Sequence, residues 1–360
     1  MPSESERIKN LPTYVPGKPV EELQRELGLE RIIKLASNEN PHGPSPKVVE
    51  AIKNQAPQVG LYPDGNCFYL KQKISMHEEV LPNEITVGNG SNELLELISH
   101  AYLSKEDEAI MGEYCFIVYP IVSTLARATI VRSKMPNMSH DLDDMANKIN
   151  SKTKVVFLAN PNNPTGSKVQ RGELESFIKE IPKQTVVVID EAYCQYVKEG
   201  DRLKPSEIIK EHKNLIILKT FSKAYGLAGL RIGYCVADKA LIDSINRARE
   251  PFNVNSIAQS AAIEALGDQE YIGECIKNNQ EGMVYLKSEL NKLSIKYYPS
   301  YANFLLLEFK AEARIIYEEL LKRGVIVRPL EEYGMKNHLR VTIGTTEENK
   351  LFVQALKESV

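Results

Sequence analysis

Asn163, Asp190, Tyr193, Lys223 and Arg231 occur in an order, and in local settings, that suit one kind of chemistry. Lys223 comes shortly after an apolar run, in Thr220-Phe221-Ser222-Lys223; Asp190 ends Thr185-Val186-Val187-Val188-Ile189; Asn163 lies in Asn160-Pro161-Asn162-Asn163-Pro164-Thr165-Gly166 after another run. A lysine that loses its proton near neutral pH, as a dry pocket and a neighbouring cation encourage, can condense with an aldehyde. A buried carboxylate suits a ring nitrogen that must stay protonated for its ring to accept electrons. The Asn163 amide and the Tyr193 hydroxyl can donate to a phenolic oxygen. Asp190 and Tyr193 are three apart, so one strand exit can present both. Arg231, Ser222, Thr220 and the loop Gly88-Asn89-Gly90-Ser91-Asn92 offer the guanidinium, hydroxyls and helix-terminal amides that hold a phosphate. Aldehyde, ring nitrogen, phenol and phosphate together describe pyridoxal 5'-phosphate (PLP).

Each motif alone has a plainer use. Asn-Pro clusters serve turns, a strand-end Asp serves as a helix cap, and Lys or Arg is a solvated surface residue. Gly88-x-Gly90 by itself says little. Five such groups in cofactor-compatible order, each by the end of an apolar run, point to a site.

Positioning these groups requires a sheet with its functional loops at the carboxyl ends. Short apolar runs alternate with amphipathic stretches, which predicts an α/β fold with a mainly parallel sheet. The expected strands are Glu84 to Val87, Glu108 to Met111, Thr129 to Arg132, Val155 to Ala159, Val186 to Ile189, Leu215 to Lys219 and Ile232 to Val236, seven in all, with Arg231 opening the last. Leu94, Leu95, Leu97, Ile98, Ala101 and Tyr102 form a helix-like stripe, so the amides at its start face the expected phosphate. Gly226 and Gly229 would let the chain pass close to the cofactor. From about residue 270 the pattern predicts a long helix, a strand pair around Tyr297 to Phe309, a helix from Ala313 to Arg323, strands at Val325 to Arg328 and Leu339 to Ile343, and a closing helix. The expected organisation is an N-terminal arm over 1–30 that forms part of the small domain, a large PLP-binding domain over 31–265 and the rest of the small, discontinuous α+β domain over 266–360.

The chain has 360 residues and a formal net charge of −3, so no basic face for nucleic acid is implied. Five cysteines, Cys67, Cys115, Cys194, Cys235 and Cys275, lack metal-like spacing and fit a reducing compartment. Neither a signal peptide in the first residues nor an apolar run of ~18 residues is expected, so the protein is expected in the cytoplasm and off the membrane.

The chain resembles the fold-type I PLP-dependent aminotransferases of class II-like type, and among them the histidinol-phosphate aminotransferase family. The motifs above carry the resemblance, with Tyr14-Val15-Pro16-Gly17-Lys18-Pro19, Lys34-Leu35-Ala36-Ser37-Asn38-Glu39-Asn40-Pro41, Leu61-Tyr62-Pro63-Asp64-Gly65, Pro251-Phe252-Asn253-Val254-Asn255 and Leu339-Arg340-Val341-Thr342-Ile343-Gly344. It implies Lys223 as the Schiff-base lysine and proton shuttle, Asp190 on the pyridine nitrogen, Asn163 and Tyr193 on the phenolic oxygen, and Arg231 on the phosphate. Phe116 falls where the ring-stacking aromatic lies, although Glu113-Tyr114-Cys115 replaces the Pro-Pro-Thr that many relatives carry before it.

Arg340 matches the position that grips a substrate carboxylate; a two-point grip leaves the Cα hydrogen perpendicular to the ring. Asn38 would assist there. Tyr14 and Arg328 match the far end of the pocket, with Phe252 and Asn253 near it; Arg328 would bind a substrate phosphate or else pair with Glu331 or Glu332. Tyr62 matches a tyrosine that crosses a homodimer interface to the neighbouring cofactor. The implied reaction is transamination between L-histidinol phosphate and 2-oxoglutarate, with small-molecule partners only. An aromatic amino acid or phenylpyruvate aminotransferase, a threonine-phosphate decarboxylase and a non-catalytic PLP-binding regulator remain the alternatives.

Overall fold

The computed structural model describes residues 3–9, 11 and 17–360. Its strands, in chain order, are β1 (Ile33–Lys34), β2 (Ile85–Gly88), β3 (Glu108–Gly112), β4 (Thr129–Ser133), β5 (Thr153–Ala159), β6 (Val186–Asp190), β7 (Leu215–Thr220) and β8 (Gly233–Ala237). They continue with β9 (Lys296–Tyr297), β10 (Phe304–Glu308), β11 (Val325–Ile326), β12 (Arg328–Leu330) and β13 (Met335–Thr342).

A seven-stranded sheet runs in the order β2-β8-β7-β6-β5-β3-β4. Val155, Val156, Val186 to Ile189 and Leu215 to Leu218 are buried, as expected of strands covered on both faces. β3 to β7 run parallel, while β8 runs antiparallel to both β7 and β2. One core packs Ile110, Val156, Val187, Ile217 and Tyr234 on one face; a second packs Leu94, Met111, Phe157, Val188 and Leu218 on the other. The seven expected strands therefore form, with ends shifted by up to two residues.

Arg231 does not open a strand. It follows the 3-10 turn Ala228–Leu230 in the left-handed region, at φ 54°, and β8 begins only at Gly233. Gly226 is a close-approach glycine, but toward the chain and not the site: at φ +72° its Cβ would lie 2.3 Å from the Gly43 carbonyl oxygen. A Cβ at Gly229 would meet nothing within 4 Å.

The C-terminal elements form a four-stranded sheet, β12-β13-β10-β9, with the helices Gln269–Lys292, Ala313–Lys322 and Thr346–Lys357. β13 starts at Met335, four residues before the expected Leu339. β1 pairs parallel with β11, and Ile33 and Leu35 join the core of Leu286, Leu305, Leu320, Val341 and Phe352. This tie draws Ala36 to Glu39 toward β13, where the Asn38 N–H donates to Thr342 Oγ1 at 2.9 Å. Among the described residues no helix is long and apolar enough to cross a membrane.

Candidate active site

A cavity of ≈ 330 Å³ opens where the carboxyl ends of β5, β6 and β7 meet the segment Ala36 to Glu39 and the sheet carrying Arg328 and Arg340. Its walls include Asn38, Ser91, Asn92, Phe116, Asn163, Asp190, Tyr193, Thr220, Ser222, Lys223, Arg231, Arg328 and Arg340, thirteen of the residues singled out in the sequence. Gly90 stands beside it; at φ +78° its missing Cβ would sit 2.6 Å from Arg231 Nη2, so glycine leaves the guanidinium its place. Tyr62 does not line it: the residue is 83 % exposed and its ring stacks on Phe252 at 4.8 Å. Asn253 is bonded to Arg249 and Glu93, off the cavity, and Phe252 is likewise off it. Tyr14 lies outside the described residues.

The lysine has the required proton affinity. Burial, reinforced by the charges of Arg340 and Arg231, depresses Lys223 from an ordinary 10.5 to about 8, against the opposing pull of Glu39 and Asp190. Its Nζ donates to the Ser37 carbonyl at 3.1 Å. Tyr193 lies beneath it, with Nζ 5.8 Å from the ring centroid.

Asp190 is buried, and burial pushes its carboxyl above the usual range. Its hydrogen-bond donors are neutral: Tyr119 Oη at 2.7 Å and the Ala192 N–H at 3.2 Å. A buried carboxylate held only by neutral donors favours a cation brought against it. Tyr119 was not apparent in the sequence, where it reads as one more apolar position three residues after Phe116; its ring stacks on Phe157 at 5.1 Å. Only its one-turn spacing from Phe116 hinted at a shared face.

At the other end, Arg231 Nη1 approaches Ser222 Oγ at 3.4 Å, and the Ser222 N–H donates to Thr220 Oγ1 at 3.1 Å. The helix Gly90–Tyr102 begins beside them, and Asn89 makes no side-chain cap. Its first residues thus share the cavity wall with a guanidinium and two hydroxyls, a set suited to holding an anion.

Between the two ends, Asn38 Nδ2 donates to Tyr193 Oη at 2.9 Å, leaving the phenol proton to donate onward. Burial pushes Tyr193 up to about 12, so it keeps that proton at neutral pH. Asn38 adopts φ 56°, a left-handed conformation that asparagine tolerates better than most residues. Arg340 is buried, donating from Nη1 to Asn163 Oδ1 at 2.6 Å and from Nη2 to the Ala36 carbonyl at 2.7 Å, while its Nε finds no partner among the described residues. Arg328 and Glu332 form an ion pair, so of the two pairings considered the structure has the one with Glu332. Arg328 is nonetheless 7 % exposed and in the cavity wall. Cys115 and Cys194 are buried thiols pushed up to about 11 and about 12, inert packing groups.

The donor set fits PLP: an amine of lowered proton affinity, a carboxylate awaiting a cation, a phenol and an amide between them, and an anion cradle at the end. Comparison with known proteins agrees. A histidinol-phosphate aminotransferase 1 of Idiomarina loihiensis is 46 % identical over 351 residues, 98 % of this chain and 96 % of that protein. A histidinol-phosphate aminotransferase 2 of Pasteurella multocida is 45 % identical over 98 % of this chain and 97 % of its own. The crystal structure of histidinol-phosphate aminotransferase from Sinorhizobium meliloti, in complex with pyridoxal-5'-phosphate, superposes with a TM-score of 0.91 at 26 % identity, covering 99 % of this chain and 97 % of that one. The family model described as aminotransferase class I and II matches residues 30–356. With the fold, the cavity and nearly the whole sequence in agreement, this chain belongs to the class I and II aminotransferases.

Proposed function

We propose that the protein is a PLP-dependent transaminase of histidine biosynthesis, converting L-histidinol phosphate and 2-oxoglutarate to imidazole-acetol phosphate and L-glutamate. The observation that carries this reading is the meeting of Lys223, Asp190, Arg340 and Arg328 in one cavity. The names of the relatives, at 45–46 % identity over 98 % of the chain, support the same amine.

When bound, PLP supplies an aldehyde for the substrate amine to join and a ring that accepts electron density as a bond to the amine-bearing carbon breaks. Arg231, Ser222, Thr220 and the amides of Gly90, Ser91 and Asn92 would hold its phosphate, and Phe116 would be the aromatic against its ring. Asp190 keeps the ring nitrogen protonated, with Tyr119 fixing the carboxylate. Asn163 and Tyr193 donate to the phenolic oxygen, Tyr193 being oriented by Asn38. Lys223 Nζ, partly neutral at physiological pH, would take the proton from the substrate's amine-bearing carbon and pass it to the cofactor carbon that had been the aldehyde. Arg340 grips the carboxylate of glutamate, which histidinol phosphate lacks. Arg328 receives the phosphate ester at the far end, the end to which the family resemblance also assigns Tyr14.

Two chains are proposed to build each site. Val59, Leu61, Tyr62, Phe68, Tyr69 and Met76 are exposed within one stretch of chain, and clustered exposed apolar side chains mark interaction surfaces. A second copy covering it would bring Tyr62 to its partner's phosphate cradle. The division into an arm, a large domain and a small domain, and residence in the cytoplasm, complete the proposal.

A steady-state comparison tests the substrate assignment. Arg328→Ala should raise KM for histidinol phosphate about 10- to 100-fold over its effect on histidinol, because only the ester loses a charge-assisted contact. Arg340→Ala should instead impair the half-reaction with glutamate. Equal damage by Arg328→Ala to both amines would remove the phosphate site and favour an aromatic amino acid donor.

A further inference from the structure

Arg328 stands in the wall between two cavities. One is the candidate active site; the other is an outer groove lined by Lys18, Glu22, Arg314, Glu331 and Glu332. Glu332, four residues on in the 3-10 turn Glu331–Tyr333, reaches Arg328 Nη2 from the groove side. It does not line the inner cavity, although its neighbour Tyr333 does. Arg328 Nη1 lies 3.8 Å from where a Cβ on Gly17 would be, and Gly17, like Arg328, lines both cavities.

The other cations of the groove have carboxylates of their own. Lys18 lies 3.4 Å from Glu22 and 2.6 Å from Glu26, and Arg314 lies 2.8 Å from Glu318 and 3.8 Å from Glu331. Among the described residues of the groove, Glu332 pairs with Arg328.

We propose that Glu332 is a positioning residue that holds the Arg328 guanidinium from behind and thereby sets the enzyme's preference for a phosphorylated amine. The inference rests on the reading that Arg328 receives the substrate phosphate. A guanidinium carries five donors in a planar fork, so one edge can stay on Glu332 while another faces the cavity. An anionic substrate then meets an arginine already ordered, and the ordering cost is removed from binding. The opposing effect is electrostatic: the carboxylate's charge also repels the incoming anion. Ordering and repulsion predict opposite signs on substitution, and the amide variant separates them because it keeps an acceptor and removes the charge.

The test measures kcat and KM with histidinol phosphate and with histidinol for Glu332→Ala, Glu332→Gln, Arg328→Ala and the Arg328→Ala/Glu332→Ala double variant, all loaded with PLP. Glu332→Ala should raise KM for histidinol phosphate about 3- to 10-fold, the range expected when one long side chain must be ordered on binding. It should leave kcat and the KM for histidinol unchanged, and Glu332→Gln should stay within about twofold of the parent because its amide oxygen still accepts from the guanidinium. In the Arg328→Ala background the substitution should have no further effect. The calorimetric dissociation constant of inorganic phosphate for the loaded protein should move in parallel. A lowered or unchanged KM in Glu332→Ala, or an equal rise without Arg328, overturns the positioning role. If Arg328→Ala itself fails to separate the two amines, the phosphate site beneath the inference is wrong; if it separates them while Glu332→Ala is silent, only the role of Glu332 falls.

Discussion

Lys223 should behave as an amine of unusually low proton affinity even before any cofactor binds. Its value of about 8 replaces an ordinary 10.5, with burial the largest cause and Arg340 the next. At pH 7.5 about a quarter of the Lys223 side chains are then neutral, against roughly one in a thousand for an ordinary lysine, some two hundredfold more free amine. Pulsed amine acylation of the cofactor-free protein across pH 6 to 11, read by peptide mass spectrometry, should give half-maximal labelling of Lys223 near 8, with the exposed Lys47, which Asp268 holds above the ordinary lysine range, as internal reference. Arg340→Met removes the second cause and leaves the first, so the midpoint should rise without reaching 10.5. The same shift has a stability counterpart. The folded value lies below the unfolded one, so between them the unfolded chain binds more protons and stability rises with pH through that window. Below pH 8 the lysine opposes folding by about 3 kcal/mol at most. Lys223→Met should therefore raise the Tm of the cofactor-free protein at pH 7, with the gain fading toward pH 10.5. A labelling midpoint near 10.5, or a Tm gain that grows with pH, would refute the argument that burial and Arg340 prepare this amine.

Asp190→Ala should lower turnover by about two to four decades, as for a cation deprived of its buried partner, and a loss under tenfold would sink the ring-nitrogen role. Tyr119→Phe, which removes one 2.7 Å donor to that carboxylate, should cost about tenfold in PLP affinity by equilibrium dialysis, and unchanged affinity would show that Tyr119 merely packs. Gly90→Ala, whose Cβ would lie 2.6 Å from Arg231 Nη2 at φ +78°, should release PLP on gel filtration that the parent retains, whereas Gly273→Ala, with open space around it, should not. Mixing Tyr62→Phe with Lys223→Ala chains under subunit exchange should restore activity toward roughly a quarter of the parental level, since each heterodimer has one intact site; no recovery above either parent would argue against Tyr62 acting across the interface.

Much of the site was legible because its local geometry is set by short stretches of chain. Val186 to Ile189 had to be a buried strand, and a strand that ends on Asp190 delivers that carboxylate to the sheet's carboxyl edge. The same reasoning located Thr220 and Ser222 at the end of β7, and the leucine stripe from Leu94 fixed a helix whose first amides face them. Contacts between residues far apart in sequence were not legible, because nothing in either local stretch records its distant partner. Tyr119 meets Asp190 across 71 residues, Asn38 meets Tyr193 across 155, and Arg340 meets Asn163 across 177. The left-handed conformation of Arg231 was equally hidden, since the sequence continues into apolar residues that mimic a strand start. Residue types and local periodicity thus determined which groups stand at the strand ends. The packing of Ile33 and Leu35 into the C-terminal core, which brings Asn38 over Tyr193 and sets the Ala36 carbonyl against Arg340, was decided by burial of apolar surface between segments some 300 residues apart, and so only by the tertiary structure.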